Sequence, residues 1–325
     1  MPKVAMGAKS KEDKDDKDCK DCKDDEDDND DKGGFLPSDV EYSSASAVLD
    51  KAYSDADAGR GQVDCLIVGH VSAARFRAIE IKRDRRNLRC RLFFLPDHGC
   101  AIITVPGGPH EQTHMQLYDL VRFQFYAMGI NTEWKSTGAT TFTAPGGGGS
   151  GEGDSGAGPR GGNTHNGRRW PTLVIETGVS QSMASLRAKG RWWFAASGYH
   201  MKVVVLAKVV VGQSMITMEK WTAGHSQTNR PGATMTRAAT RAGLVALEPV
   251  RRQQIDITWS GPRPVLETPA ADRTAGLFTV VGAPLVLGFE ELMLRAPVVA
   301  VGEHDIIITE ANLQELASLV WEEFE

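Results

Sequence analysis

The sequence has little cysteine: Cys19, Cys22, Cys65, Cys90 and Cys100 are the only five in 325 residues. A number so small, and odd, rules out the disulfide framework of a small secreted protein and suits a reducing compartment. Long apolar runs are missing too. The longest, MKVVVLAKVVVG from Met201, holds two lysines and falls far short of the roughly 20 apolar residues that cross a bilayer. The opening stretch, MPKVAMGAKSKEDKDD, has no apolar segment of the kind a signal peptide needs. These absences lead us to expect an intracellular protein, in cytoplasm or nucleus, with no membrane partner.

Charge of one sign is also scarce outside one segment. Residues 11 to 32 carry 13 acids and 6 lysines, a net of -7, and Lys3 and Lys9 add +2. The formal charge of -5 therefore leaves -5 + 7 - 2 = 0 for residues 33 to 325. A neutral body excludes general basic character, so any nucleic acid would have to be met by a local patch. Residues 1 to 34 read as a disordered acidic tail, a block of like charge with almost no apolar residues. Such a tail suits a basic partner or simply solubility. Its CKDC pair, Cys19 and Cys22, lacks the second pair that a zinc site needs.

What is present reads as one α/β domain over residues 35 to 325, a mixed central sheet with flanking helices. Its core spans about 90 to 221, and 222 to 325 form a C-terminal extension. LRCRLFFLPDHGCAIITVP is two β-rich runs around turn residues, a hairpin. Tyr118, Val121, Phe125 and Met128 form a helical stripe that Gly129 ends. PTLVIETG is apolar on both faces, as a central strand is. Ser180 is positioned to cap the helix that follows, MKVVVLAKVVV is the next, parallel strand, and SMITMEKW adds an outer strand. Residues 35 to about 85 give no clear pattern beyond a short helix and the strand VDCLIVGHV.

Three acids stand out by position. Glu111 sits at the start of a helix, on the face that also carries His114 and Tyr118. Asp154 lies in APGGGGSGEGDSGAGPRGG, and Glu176 near the end of the central strand. That glycine-rich stretch has two readings: a solvated flexible loop, or a hairpin-like excursion that returns Asp154 to the strand end. The second is favoured, because sequence on either side belongs to the sheet. Buried carboxylates that converge repel one another unless a cation joins them. Magnesium or manganese suits such oxygen ligands, and a water on the ion attacks a phosphodiester. Helix-dipole stabilisation alone is the competing account of Glu111.

GGPHEQTH, GEGDSGAGP, WPTLVIETGVSQSMASLRAKGRWWFAAS and MKVVVLAKV resemble a family of fungal proteins that in turn resembles the PD-(D/E)XK, restriction-endonuclease-like nucleases. The resemblance spans roughly residue 90 onward. It implies a metal-dependent nuclease acting on DNA or RNA, with Glu111, Asp154 and Glu176 as metal ligands. The nuclease pattern often has Lys two residues after the strand acid; here that residue is Gly178. Lys202, at the start of the next strand, is the first candidate to replace it, and Lys189 the second. Arg160, Arg168 and Arg169 form a small cluster suited to phosphates, and Trp192 and Trp193 read as core rather than as base-stacking residues.

Other chemistries fit less well. GVSQS is not the G-x-S-x-G elbow, and no glycine-rich segment ends in Gly-Lys-Ser/Thr. HEQTH, from His110 to His114, matches H-E-x-x-H by spacing and raises a zinc hydrolase as a third reading, although no third ligand is evident. A binding protein that keeps the nuclease scaffold without its activity is the second, motivated by the missing lysine and the neutral body.

Overall fold

Runs of β-branched and aromatic residues become strands, and the longest of them assemble into two separate sheets. The computed structural model describes residues 36–138, 140–165, 167–225, 247–261 and 277–324. The acidic tail with Cys19 and Cys22, and most of the polar loop that follows Trp221, lie outside the described residues. Leu36–Glu325 clusters as one compact unit.

The chain opens with β1 (Val40–Glu41), α1 (Ala45–Gly59), β2 (Cys65–Gly69) and α2 (Ala73–Arg85). The hairpin β3 (Arg91–Leu95) and β4 (Cys100–Thr104) comes next, then α3 (Gly108–Ala127) and four short strands: β5 (Trp134–Ser136), β6 (Thr141–Thr143), β7 (Ser150–Glu152) and β8 (Ser155–Pro159). A two-stranded ribbon, β9 (Thr164–His165) with β10 (Arg168–Arg169), precedes β11 (Leu173–Gly178), α4 (Met183–Ala196) and β12 (Val203–Val210). Long strands β13 (Met215–His225) and β14 (Leu247–Trp259) lead to β15 (Phe278–Val281), β16 (Leu285–Leu287), α5 (Phe289–Met293), β17 (Ile306–Ile308) and α6 (Glu310–Glu322).

One sheet runs β1-β2-β4-β3-β7-β6 and the other β15-β14-β13-β12-β11-β8-β5. Both are mixed. β1 is parallel to β2, and β11 to β12, while their other pairings are antiparallel. β13 lies between β12 and β14, so SMITMEKW is not an outer strand. Its sequence partner there, β14, has exposed polar residues on alternate positions and gives little apolar signal. The cap of α4 is Ser182, whose side chain accepts the Ser185 N–H; Ser180 is engaged elsewhere, as shown below. The basic stretch AARFRAIEIKRDR, unreadable by apolar period, is helix α2, anchored by Phe76 and Ile79.

Three apolar layers hold these parts together. Leu117, Val121 and Phe125 of α3 pack with Leu313 and Val320 of α6 on one face of the second sheet, against Ile175 and Val205. On its other face Val174 and Leu206 meet Trp193 of α4 and Phe93 of the first sheet. The first sheet turns Phe94 and Ile103 to Leu49 of α1 and Ile79 of α2. Burying each such side chain stabilises by about 1.5–3 kcal/mol. Trp192 and Trp193 are both core, as their place on a helix facing a sheet predicts.

The glycine-rich stretch is ordered chain, not a tether. β5 and β8 belong to the second sheet, whereas the hairpin β6–β7 between them crosses to pair with β3 of the first. Gly149 has φ +94°, and a Cβ there would stand 2.2 Å from the Phe94 carbonyl oxygen. A Cβ on Gly151 would reach within 2.4 Å of the Phe93 ring. Only glycine permits the turn and the close approach, and the return of the chain delivers Asp154 to the start of β8.

Candidate active site

Asp154 is held where β7 gives way to β8, its side chain wholly inside. Its Oδ2 accepts the Thr177 N–H of the neighbouring strand β11 at 2.7 Å. Its Oδ1 lies 3.2 Å from His110 Nε2 and 3.4 Å from Arg91 Nε, neither at a hydrogen-bonding angle.

On β11 the side-chain period of two turns Val174 and Glu176 toward α4. There Trp193 Nε1 donates to Glu176 Oε1 at 2.6 Å, and Lys189 Nζ pairs with Oε2. Lys189 and Trp193 stand one helical turn apart, so a single face of α4 supplies both. The ammonium of Lys189 also lies 5.4 Å from the centre of the Phe93 ring.

Glu111 sits at the rim, its side chain 36% exposed against 0% for Asp154 and Glu176. It accepts from Arg91 Nη2 at 2.9 Å and stands 3.2 Å from His114 Nε2. Arg91 thus stands between Asp154 and Glu111, and the charge of Glu176 also acts on it.

Lys202 is placed apart from this group. It donates to the Tyr199 carbonyl at 3.1 Å. The register pairs Leu173 with Val203 and Glu176 with Leu206, which puts Lys202 about 13 Å along the sheet from Glu176. Arg169 binds the Arg160 carbonyl, beyond the end of β8 remote from Asp154, whereas Arg168 reaches the carbonyl of Thr141, which pairs with Glu152.

Two members gave no signal in sequence reading. Asp64, just before β2, accepts from the N–H groups of Val179 and Ser180 at 2.9 and 2.8 Å and from the Ser180 hydroxyl at 2.8 Å. His110 Nδ1 donates to its Oδ2 at 2.7 Å, so the buried His110 bridges Asp64 and Asp154. Asp64 and Arg91 share one clue: each is a charge at the first turn of an apolar strand, VDCLIVG and RLFFL, where ordinary solvation explains it equally well.

The two histidines of HEQTH face different partners instead of a common point. His110 lies between Asp64 and Asp154, and His114 has Ser155 Oγ 2.9 Å from Nδ1 and Glu111 beyond Nε2. Among the described residues no group of three or more His, Cys, Asp or Glu is arranged to hold a metal ion.

Burial opposes every charge here, and the neighbours decide each outcome. Burial would raise Asp154, but His110, Lys189 and Arg91 hold it well below the usual carboxylate range. For Glu176 burial prevails: together with the charge of Asp154 it lifts the carboxyl to about 7 despite Lys189. His110 resists burial because Asp154 and Asp64 flank it, and its pKa rises to about 9. Asp64 falls to about 2, burial being outweighed by His110 and the two backbone donors. Lys189 keeps its proton, since Glu176 and Asp154 outweigh its desolvation.

Asp154 Oδ1 and Glu176 Oε2 are buried carboxylate oxygens that each face a cation, His110 and Arg91 for the first and Lys189 for the second, without a hydrogen bond of good geometry. Two such hard oxygens on adjacent strands fit magnesium or manganese, which bind through one or two carboxylates and keep several waters. Glu111 is likewise paired, with Arg91 and His114, and lies nearer solvent. No protein-family model and no curated protein matches this chain.

Proposed function

We propose that the chain is a metal-dependent nuclease with a restriction-endonuclease-like core, in which Asp154 and Glu176 hold Mg2+ or Mn2+ and Lys189 stands in for the absent motif lysine. One observation carries this reading: Asp154 and Glu176, 22 positions apart (176 - 154), come to adjacent strands of one sheet with the Lys189 ammonium on Glu176. A divalent ion held by such carboxylates activates water and offsets charge that develops on a phosphodiester.

The chain's own groups do the rest. Lys189 favours the ionised form of Glu176 and supplies positive charge beside it. Trp193 fixes the orientation of Glu176. His110 and the Thr177 N–H fix that of Asp154. Arg91, 20% exposed, is the cation nearest solvent and the one suited to an incoming phosphate.

A second reading, a binding protein on this scaffold without cleavage, is favoured by the local charge balance. Four acids (Asp64, Glu111, Asp154, Glu176) meet three cations (Arg91, His110, Lys189), so all but one of the negative charges are offset without a divalent ion. Incubation with plasmid and single-stranded DNA in magnesium, manganese or EDTA separates the two. The nuclease reading expects cleavage with metal only, reduced at least about 100-fold by Asp154→Asn and by Glu176→Gln. Cleavage that survives both substitutions rejects it, and folded protein inert with every metal supports the second.

A further inference from the structure

The body of the protein is electrically neutral, yet one stretch of it is not. From Arg75 to Arg91 the sequence holds eight cations (seven Arg and Lys82) and two acids, Glu80 and Asp84, a net of +6 (8 - 2). The fold turns this stretch into helix α2, its trailing turn and the first residue of β3. Phe76 and Ile79 anchor the helix, and its charged side chains lie outside. Arg85, Arg86 and Arg89 are exposed and Lys82 is half-buried.

The middle and the last residue of the run are tied to the candidate site. Arg91 reaches Glu111 and Asp154. Arg83 donates to both oxygens of Glu152 at 2.9 Å, and Glu152 stands two residues before Asp154. Arg86 is paired with Asp50. Among the described residues no acid pairs with Lys82, Arg85 or Arg89. Three unpaired cations in a run whose last residue is Arg91 form a local patch of the kind a neutral nucleic-acid-binding protein requires.

We propose that Lys82, Arg85 and Arg89 form a phosphate-binding ridge that receives the backbone of a nucleic acid and leads it to the acids around Arg91. This deepens the nuclease reading and rests on it for the meaning of the site, but the binding itself does not depend on cleavage. Arg160 and Arg169, beyond the far end of β8, are not part of this ridge.

The test is binding of a fluorescent DNA duplex, read by anisotropy in EDTA so that cleavage plays no part, over a series of salt concentrations. In the triple variant Lys82→Ala/Arg85→Ala/Arg89→Ala the affinity falls at least about tenfold, and the slope of log K against log salt shrinks by about 3, one per lost phosphate contact. A charge-matched control, Arg160→Ala/Arg169→Ala/Lys135→Ala, leaves both nearly unchanged. An unchanged slope in the ridge variant, or equal losses in ridge and control, overturns the proposal. So does preference for phosphatidylserine vesicles over the duplex. A protein that binds through the ridge but never cleaves defeats the nuclease reading alone; one that cleaves with unchanged KM in the ridge variant defeats this proposal alone.

Discussion

Removing Lys189 from its place beside Glu176 tests the electrostatics of the site most directly. In Lys189→Met the aliphatic stem is kept and the ammonium lost. Glu176, wholly buried, retains the Trp193 N–H but faces Asp154 without its counter-charge. Breaking a buried ion pair on one side costs about 3–5 kcal/mol, which for a domain of this size lowers Tm by about 6–10 °C. The double variant Lys189→Met/Glu176→Gln removes both charges and recovers most of the loss, as buried pairs replaced together do. The pH dependence carries a sign. Glu176 already titrates at about 7 against an ordinary 4.5, so the stability linked to it is present below 4.5 and lost as pH rises through 7. Without Lys189 the upper limit of that window moves higher. The deficit of the single variant is therefore small at pH 5 and full at pH 8.5. Thermal melts of wild type and both variants at those pH values, in EDTA, measure it. A deficit independent of pH, or a double variant no better than the single, refutes the pairing described here.

His110 adds a second loss of the same sign at higher pH: its pKa rises from 6.5 to about 9 on folding, so stability present below 6.5 is lost by about 3 kcal/mol as pH climbs through 9, and urea titrations of His110→Asn show that limb flattened. Gly149→Ala forces a side chain onto the Phe94 carbonyl at φ +94° and destabilises by at least about 2 kcal/mol, whereas Gly161→Ala, with nothing within 4 Å, stays within about 0.5 kcal/mol; chemical denaturation compares them. If Asp154 and Glu176 bind magnesium, saturating Mg2+ at about 100 times Kd adds about 2.7 kcal/mol of stability to wild type and none to Asp154→Asn, read as a thermal shift that EDTA reverses.

Some of this was legible because the signal was local. LRCRLFFLPDHGCAIITVP folds as the hairpin its two β-rich runs and turn residues dictate. The α3 stripe, the central position of LVIETG and the parallel crossover to β12 follow from period and length. Helix α2 was missed because its mass of Arg and Lys hides an apolar face only two buried residues deep. The position of β13 was misjudged because a strand is inner or outer only by virtue of its partner, and β14 is polar on alternate residues. Lys202 was put ahead of Lys189 on its place in the next strand alone, since each is simply a lysine near an apolar strand. The register of β11 with β12 carries one away from Glu176, and the helical phase of α4 carries the other onto it.

What the sequence by itself determined is the elements with a strong apolar period, from the β3–β4 hairpin through α3 to β11 and β12, because helical and strand periods are properties of neighbouring residues. It also marked the acids worth watching, because carboxylates at apolar strand ends need partners. Only the tertiary structure decided who those partners are. Arg91, Asp64, His110 and Lys189 come from four different elements, and each is an ordinary solvated residue until packing removes the water from around it. Charge pairing acts through space and falls off within a few ångströms in a low-dielectric interior, so no reading along the chain contains it.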